Sequence, residues 1–390
     1  MRQKPIYLDY AATTPLDPRA RSRMLPFFDE AFGNPSSVHS WGQQAEAELE
    51  QARAQIAGYL GCESDELIFT SGGSESDNLA LRGAAFAARN GRSANHILIS
   101  PVEHPAVLET ARQLQRLHGF QLEFLSVDEF GQVEPADLAR RLRSDTAVVS
   151  VIYGNNEIGT LNPIAELGSL CRQAGIPFHT DALQAVAQLN LQVDELNVDL
   201  LSIGAHKFYG PKGVGALYVR RPTPMVPIQT GGSHERGRRA GTSNVPLIVG
   251  MNEALAVVVE RRATDIQGFA RLRDRIVEAV LGGIADAQLT GHPAERLPNH
   301  ASFVFEGVDG NGLLAALDLA GFACSSASAC KTGEPEPSEV LLAIGLDARL
   351  ATSSLRVTVG RQTTPSEVEA FLTILPEAIA RLRVVEPAFT

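Results

Sequence analysis

The sequence predicts an α/β protein: a mostly parallel sheet of seven strands flanked by helices, followed by a smaller α+β region. Three observations predict it. Between about residues 66 and 220, short β-rich runs recur: ELIFTS (66–71), HILIS (96–100), QLEFLSV (121–127), TAVVSVIY (146–153), IPFHTD (176–181), VDLLSIG (198–204) and GALYV (215–219). Segments such as PAVLETARQLQRLHG (105–119) and IAELGSLCRQAG (164–175) lie between them with apolar residues at helical spacing. Strand–helix–strand alternation calls for parallel strands covered by helices on both faces. After Asn244 the texture changes to a long helical region, about 247–283, and sparser strands, ASFVFEG (301–307) and SLRVTVG (354–360).

Upstream, residues 43–60 read as an amphipathic helix with Ala45, Leu49, Ala52 and Ile56 on one face. A chain of 390 residues exceeds one minimal core. The expected division is a large domain over 15–255 and a smaller one built from 1–14 and 256–390, the latter carrying a loop at about 324–339.

The formal net charge is −11, which argues against nucleic acid, where a basic face supplies the affinity, and against anionic membrane surfaces. The start, MRQKPIYLDYAATTP, has no apolar h-region, so no signal peptide is expected. Apolar runs such as ALAVVV (254–259) are too short to span a bilayer. Four cysteines, at 62, 171, 324 and 330, fit a reducing cytoplasm, and no HExxH or paired CxxC predicts a resident metal.

In open α/β sheets, ligands sit beyond the carboxyl ends of the strands. FTSGGSES (69–76) is strand, glycine turn and helix start, with Ser74 as N-cap and Asp77 three residues on, an arrangement that offers backbone N–H groups to a phosphate. HTDALQ (179–184) places Asp181 just past a strand, and SIGAHKFYGPKG (202–213) ends another with His206 and Lys207. Each also has a plainer reading: a turn that only connects, an aspartate that caps, a lysine in a solvated loop. Taken together they point to pyridoxal 5′-phosphate, which needs a lysine for its aldehyde, an acid at its pyridine nitrogen and a phosphate cup.

At this point the chain resembles the cysteine desulfurases, class V members of the fold-type-I pyridoxal-phosphate enzymes. The resemblance runs nearly end to end through YLDYAATTP (7–15), FGNPSS (32–37), TSGGSESDNLA (70–80), EHPAVLET (103–110), NNEIGT (155–160), HTDALQ, AHKFYGPKGVGALYV (205–219), GGSHERGRRAGT (231–242), SSASAC (325–330) and SSLRVTVGR (353–361). It implies that Lys207 anchors the cofactor and takes the substrate's Cα proton, that Asp181 faces the pyridine nitrogen, and that His104 stacks on the ring. It implies further that Gln184 and Asn156 bond the phenolic oxygen, with Asn156 also near the substrate carboxylate. Gly73, Ser74 and His206, with the position of Gly204, hold the phosphate, and Thr242 reaches the phosphate of a neighbouring subunit in a homodimer. Arg356 matches the arginine that clamps the carboxylate of L-cysteine, and Cys330 the thiolate that takes its sulfur and passes it to an acceptor or iron–sulfur scaffold protein, with a transient iron–sulfur ligand role as well. The alternative reading is a selenocysteine lyase or another class V aminotransferase-like enzyme.

The residues beside Cys330 agree with that role. Positions 325–339 hold no large apolar side chain, Pro335 and Pro337 bar helix, and Lys331 favours a thiolate. The cluster Arg236, Arg238 and Arg239 reads equally as a solvated basic loop. Cys62, Cys171 and Cys324 read as structural. Three departures from the family pattern stand out: Gly204 where a serine is usual, Ala327 where SSGSAC has glycine, and a chain that stops at Thr390, without the longer tail by which some members engage a scaffold.

Overall fold

The computed structural model describes residues 5–327 and 337–385. Seven strands form one sheet in the order β2 (Leu67–Thr70), β8 (Gly215–Val219), β7 (Leu200–Gly204), β6 (Phe178–Asp181), β5 (Thr146–Ser150), β3 (His96–Ile99) and β4 (Gln121–Phe124). Strand β8 runs antiparallel to both neighbours, and the pairs from β7 to β4 are parallel. Every expected run supplies one strand, but the ladders are shorter. The surplus residues, such as Val151, Ile152 and Tyr153 after β5, lead into loops at the carboxyl edge.

Alternate strand residues enter different cores, as a two-faced sheet requires. Ile68, Ile97, Ile99 and Val148 pack with Leu79, Ala80 and Ala84 of the helix Gly73–Arg92. Phe69, Leu98, Val149 and Leu201 pack with Leu49, Ala52 and Ile56 of the helix Ser40–Leu60 and with Leu167 and Cys171 of the helix Ile164–Ala174. Cys171 is fully buried there, as its structural reading requires.

A second sheet has the order β12 (Ser354–Thr358), β10 (His300–Phe305), β9 (Ala287–Leu289), all antiparallel, and β1 (Ile6–Tyr7) pairs in parallel with β11 (Phe322–Ala323). The short strands β1, β9 and β11 are additions to the sequence reading; two or three residues carry too little periodicity to be seen. The helix Val245–Gly283 joins the two cores: Met251, Leu255 and Val258 face the large one, while Phe269, Ile276 and Val280 pack with Phe303, Phe305, Leu355 and Leu8 in the small one. No helix among the described residues is long and apolar enough to cross a membrane.

The basic segment GGSHERGRRAGT is pinned down rather than solvated throughout. Glu235 accepts from Arg53 Nη1 at 2.7 Å, Arg53 Nη2 at 3.0 Å and the Phe69 amide at 3.0 Å, and both side chains of the ion pair are only 4% exposed. To reach them, Glu235 and Arg236 take the left-handed φ values of 46° and 55°, a strained choice for side chains with a Cβ. Arg239 pairs with Glu75 at 2.7 Å and Arg238 donates to the Asp65 carbonyl at 2.5 Å, which leaves Arg236 as the half-exposed member. Arg53→Met should therefore lower the unfolding free energy by about 3–5 kcal/mol in a urea titration, because Glu235 is left charged and buried. A loss under about 1 kcal/mol would mean the pair behaves as a solvated one.

Candidate active site

The carboxyl ends of β2, β3, β5, β6 and β7 bring most of the expected residues to one edge. After β2, Gly72 turns the chain with φ 150° into the helix Gly73–Arg92. Here the sequence reading needs one correction: the N-cap is Gly72, not Ser74. Ser74 lies exposed in the first turn, and the carboxylate of Glu75 instead reaches back to the Ser71 amide at 2.7 Å. The free amides of that turn open on a cleft of about 430 Å³ lined by Ala12, Thr13, Ser71, Gly72, Gly73, Ser74, His206 and Lys212 among others. Such a helix start attracts an anion. Gly204, at the end of β7, directs its missing Cβ to within 3.3 Å of the Gly73 amide and 3.4 Å of Leu183, so a serine there would aim at the cleft but fit tightly.

Asp181 ends β6 and is 3% exposed; its Oδ1 accepts the Leu183 amide at 2.9 Å. Burial raises its proton affinity, and His104, that amide and Lys207 pull it back down. His104 caps the helix Pro105–His118: its Nδ1 accepts the Ala106 amide at 3.1 Å, which leaves Nε2 for the site. Burial keeps its imidazole neutral more readily than usual. Lys207 closes the short 3₁₀ turn after β7 and donates from Nζ to the carbonyls of Ala11 at 2.6 Å and Ala12 at 2.9 Å. Burial and the Arg356 charge bring its pKa down to about 8, with Asp181 and Asp9 opposing. Gln184 donates to the same Ala11 carbonyl at 2.9 Å, and His206 pairs through Nδ1 with the Thr13 hydroxyl at 3.2 Å. Desolvation, with Lys207 and Lys212, drops the pKa of His206 to about 4, so it is neutral at pH 7.

Arg356 enters from the other sheet, on β12. Its Nη2 pairs with Asp9 Oδ1 at 2.8 Å, its Nη1 donates to the Asn156 carbonyl at 2.9 Å, and its Nε is buried with no partner among the described residues. Asp9 Oδ2 in turn accepts Ser325 Oγ at 2.8 Å. Ser338 donates to Glu157 at 2.5 Å, and burial lifts the Glu157 carboxyl to about 7. Cys324 is half-buried on the small core, where burial and Asp9 hold its thiol protonated. Cys330 lies outside the described residues. Thr242 is exposed and does not line the cleft.

The sequence reading did not single out Asp9, Thr13, Lys212 or Glu157, and it saw Asp77 only as a capping partner. All four omitted residues sit inside the quoted motifs YLDYAATTP and NNEIGT or the run GPKG, where a polar residue against an apolar strand was the available signal. Among the described residues, Asp77, His104 and Asp181 form a cluster whose nitrogen and oxygen atoms lie within 4.8 Å of one another.

A lysine with a pKa near 8 is substantially neutral amine in mildly alkaline solution. The rate at which Lys207 is modified by pyridoxal 5′-phosphate and trapped by reduction should rise through pH 7–9 and level off, with a midpoint at about 8. Peptide mass spectrometry reads it; a midpoint above about 10, the ordinary lysine value, would mean that the amine is not desolvated.

Comparison with known proteins agrees with this geometry. The aminotransferase class-V family model matches residues 6–371. A protein named cysteine desulfurase IscS from Dictyoglomus turgidum is 46% identical over 385 residues, covering 99% of this chain and 97% of its own. Another of that name from Methanosarcina thermophila is 42% identical, covering 98% and 94%. Among solved structures, a NifS-like protein superposes with a TM-score of 0.89 at 33% identity, over 97% of this chain and all of its own. SspA in complex with cysteine does so with 0.80 at 34%, over 92% and 100%. Enzymes of this family depend in general on pyridoxal phosphate. With the class-V match over nearly its whole length and relatives of one name at both ends of the comparison, the chain belongs to the cysteine desulfurases of the class-V aminotransferase family.

Proposed function

We propose that this protein is a pyridoxal-phosphate-dependent cysteine desulfurase: it takes sulfur from L-cysteine, releases L-alanine and keeps the sulfur as a persulfide on Cys330, for an acceptor such as an iron–sulfur scaffold protein. The observation that supports this most is the meeting of Asp181, Lys207 and Arg356 from three elements in one buried field, with Arg356 Nε still free to donate. The residues fit the cofactor. A cleft at a helix N-terminus suits a phosphate, Gly72 leaves open space where a Cβ would project, and Asp181 is a buried acid suited to a protonated ring nitrogen. A cytoplasmic homodimer is part of the proposal, with domains at 15–255 and at 1–14 plus 256–390. Exposed Phe28, Phe32, Val38 and Trp41 offer an apolar surface to a second copy, and exposed Thr242 is free to serve the partner's site.

When bound, the cofactor supplies a ring that accepts the electrons left on the substrate's carbons. The chain does the rest. Arg356, preset by Asp9 and the Asn156 carbonyl, binds the cysteine carboxylate as a planar fork. Lys207, once neutral, takes the Cα proton, and the near-neutral imidazole of His104 carries protons at its Nε2. The thiolate of Cys330 attacks the substrate sulfur. The S–S bond forms as the Cβ–S bond breaks, and the electron pair remaining on Cβ picks up a proton to give alanine, so the enzyme sulfur is oxidised as the carbon is reduced.

Arg356→Ala should raise the KM for cysteine about 10- to 100-fold, matching the roughly 1.5–3 kcal/mol of a charged hydrogen bond, with the cofactor's absorption unchanged. An unchanged KM would remove Arg356 from the substrate site.

The proposal as a whole is tested on purified protein loaded with the cofactor and given L-cysteine and a reductant, by measuring sulfide and alanine in equal amounts. Cys330→Ser should bind cysteine yet release almost no sulfide, since a hydroxyl is hardly ionised at neutral pH. Cys324→Ser should turn over at a rate close to the parent's. After a short pulse without reductant, mass spectrometry should find the extra sulfur on the Cys330 peptide. Sulfur on Cys324, or full turnover in Cys330→Ser, would reverse the assignment.

A further inference from the structure

Asp77 sits on the helix Gly73–Arg92, beneath Asp181, and is fully buried. Neither of its carboxyl oxygens has a hydrogen-bond partner among the described residues. The surroundings explain why. Strand β6 presents His179, whose Nε2 is 3.6 Å from Asp77 Oδ1 but pairs at 3.0 Å with the Ser202 hydroxyl of β7; its Nδ1 pairs with Ser150 of β5 at 2.8 Å. Both imidazole nitrogens are spoken for, and burial holds His179 neutral, at about 3. The start of the helix Pro105–His118 adds Glu103, bound to Ser100 Oγ at 2.6 Å and the Ile152 amide at 2.7 Å, and His104. Lys207 faces Asp181 and His104 from the turn after β7. Among the described residues no cation is directed at Asp77 itself.

Two buried carboxyl groups this close, their oxygens within 4.8 Å, do not both ionise when only one is backed by an amide and cations. Asp181 has the Leu183 amide, and Lys207 and His104 favour its charge. Asp77 has neither an amide nor a cation; the Ser202 hydroxyl, shared with His179, is the one group that lowers its proton affinity. Burial and the Asp181 charge both push its proton affinity far up.

We infer that Asp77 is a positioning residue for the reaction: a neutral carboxylic acid whose retained proton confines the pair's single negative charge to Asp181, on the side that faces the cofactor ring. This rests on the reading of Asp181 as the partner of the ring nitrogen. The device is a proton held in place rather than a contact with substrate. An ionised Asp77 would raise the proton affinity of Asp181 and blunt its charge; an apolar residue would leave Asp181 without a polar neighbour behind it.

The test uses the full chain in two forms. In protein free of cofactor and labelled with ¹³C-aspartate, infrared spectroscopy at pH 7 should find a neutral carboxylic-acid band that Asp77→Asn abolishes and Asp181→Asn leaves in place. The aspartate label separates it from Glu103, which burial lifts to about 8. In loaded protein, Asp77→Asn, a neutral side chain of the same shape, should hold the cofactor to within about threefold of the parent dissociation constant, whereas Asp77→Leu should weaken it at least tenfold, with cofactor-free melting temperatures checking that each variant folds. The inference is overturned if no such band belongs to Asp77, or if Asp77→Asn loses the cofactor as fully as Asp181→Asn. Parent-like retention by Asp77→Leu would overturn it too. Undiminished retention by Asp181→Asn would instead sink the reading of Asp181, and the infrared result on Asp77 would stand apart from it.

Discussion

Two cations from different sheets are held by one short piece of chain. Residues Asp9–Thr14 run between the end of the large sheet and β12, and nearly every polar group on them is engaged. The Asp9 carboxylate takes Arg356, the Ala11 carbonyl takes both Lys207 and Gln184, the Ala12 carbonyl takes Lys207, and the Thr13 hydroxyl takes His206. Thr14 closes the other end, donating its amide and hydroxyl to the His206 carbonyl and accepting the Tyr209 amide. The Ala11 amide meets Thr358 Oγ1 of β12 at 2.9 Å. Lys207 and Arg356 repel each other in a water-poor space. Without this strip of carbonyl and carboxylate oxygens they would turn out to solvent, and the place between the sheets would lose both its amine and its carboxylate receptor. The strip contributes hydrogen bonds that are individually modest and collectively decisive about geometry.

The same logic runs beneath the site. Asp77, Glu103, Asp181 and His179 are all but fully buried, which costs free energy that only the tightly packed strands around them can sustain. Groups such as Glu103, with a hydroxyl and an amide on one oxygen, are satisfied in part, and the other oxygen of that carboxyl has no partner among the described residues. Under-satisfied polar groups of this kind gather where a site must hold charges in unusual states, and here they lie directly behind the residues that the family resemblance singles out.

The sheet was legible because six of its strands are buried along their whole length and read as largely apolar runs between helical patterns; each of the seven runs became a strand, the half-exposed edge strand β4 included. The two-residue pair β1–β11 was not legible, because its reason for existing is the pairing of Ile6 with Phe322 across the whole chain. The site followed the same divide. Asp181, Lys207 and His104 stand at strand ends or helix starts, where position alone hints at function. Asp9 and Asp77 do not: each acts through partners hundreds of residues away or on another element, and only the three-dimensional arrangement reveals them. A trace of Asp77 was present in sequence, since it shares a helix face with Gly73, Ala80, Leu81 and Ala84, all buried, where a carboxyl group is out of place. Ser74 misled for a related reason. A serine three residues before an acid resembles a cap, but Gly72 alone tolerates the turn's φ of 150°, and the helix begins two residues earlier than a Ser74 cap would require.

The placement of the two neighbouring cysteines follows from electrostatics. A thiolate beside Asp9 would add a second negative charge to a carboxylate already committed to Arg356, in a setting where burial penalises both; Cys324 occupies that setting and is held as a thiol. It packs against the small core and extends the ladder that leads to Ser325, whose backbone pairs with Arg356. A sulfur that must ionise, attack and then surrender what it has taken is badly served by such a position. Six residues further on, the sequence sets a cysteine among serines and alanines beside Lys331, a neighbour that favours a thiolate. The anchored cysteine therefore serves the scaffold, and the role proposed for Cys330 asks of a thiol what the position of Cys324 excludes.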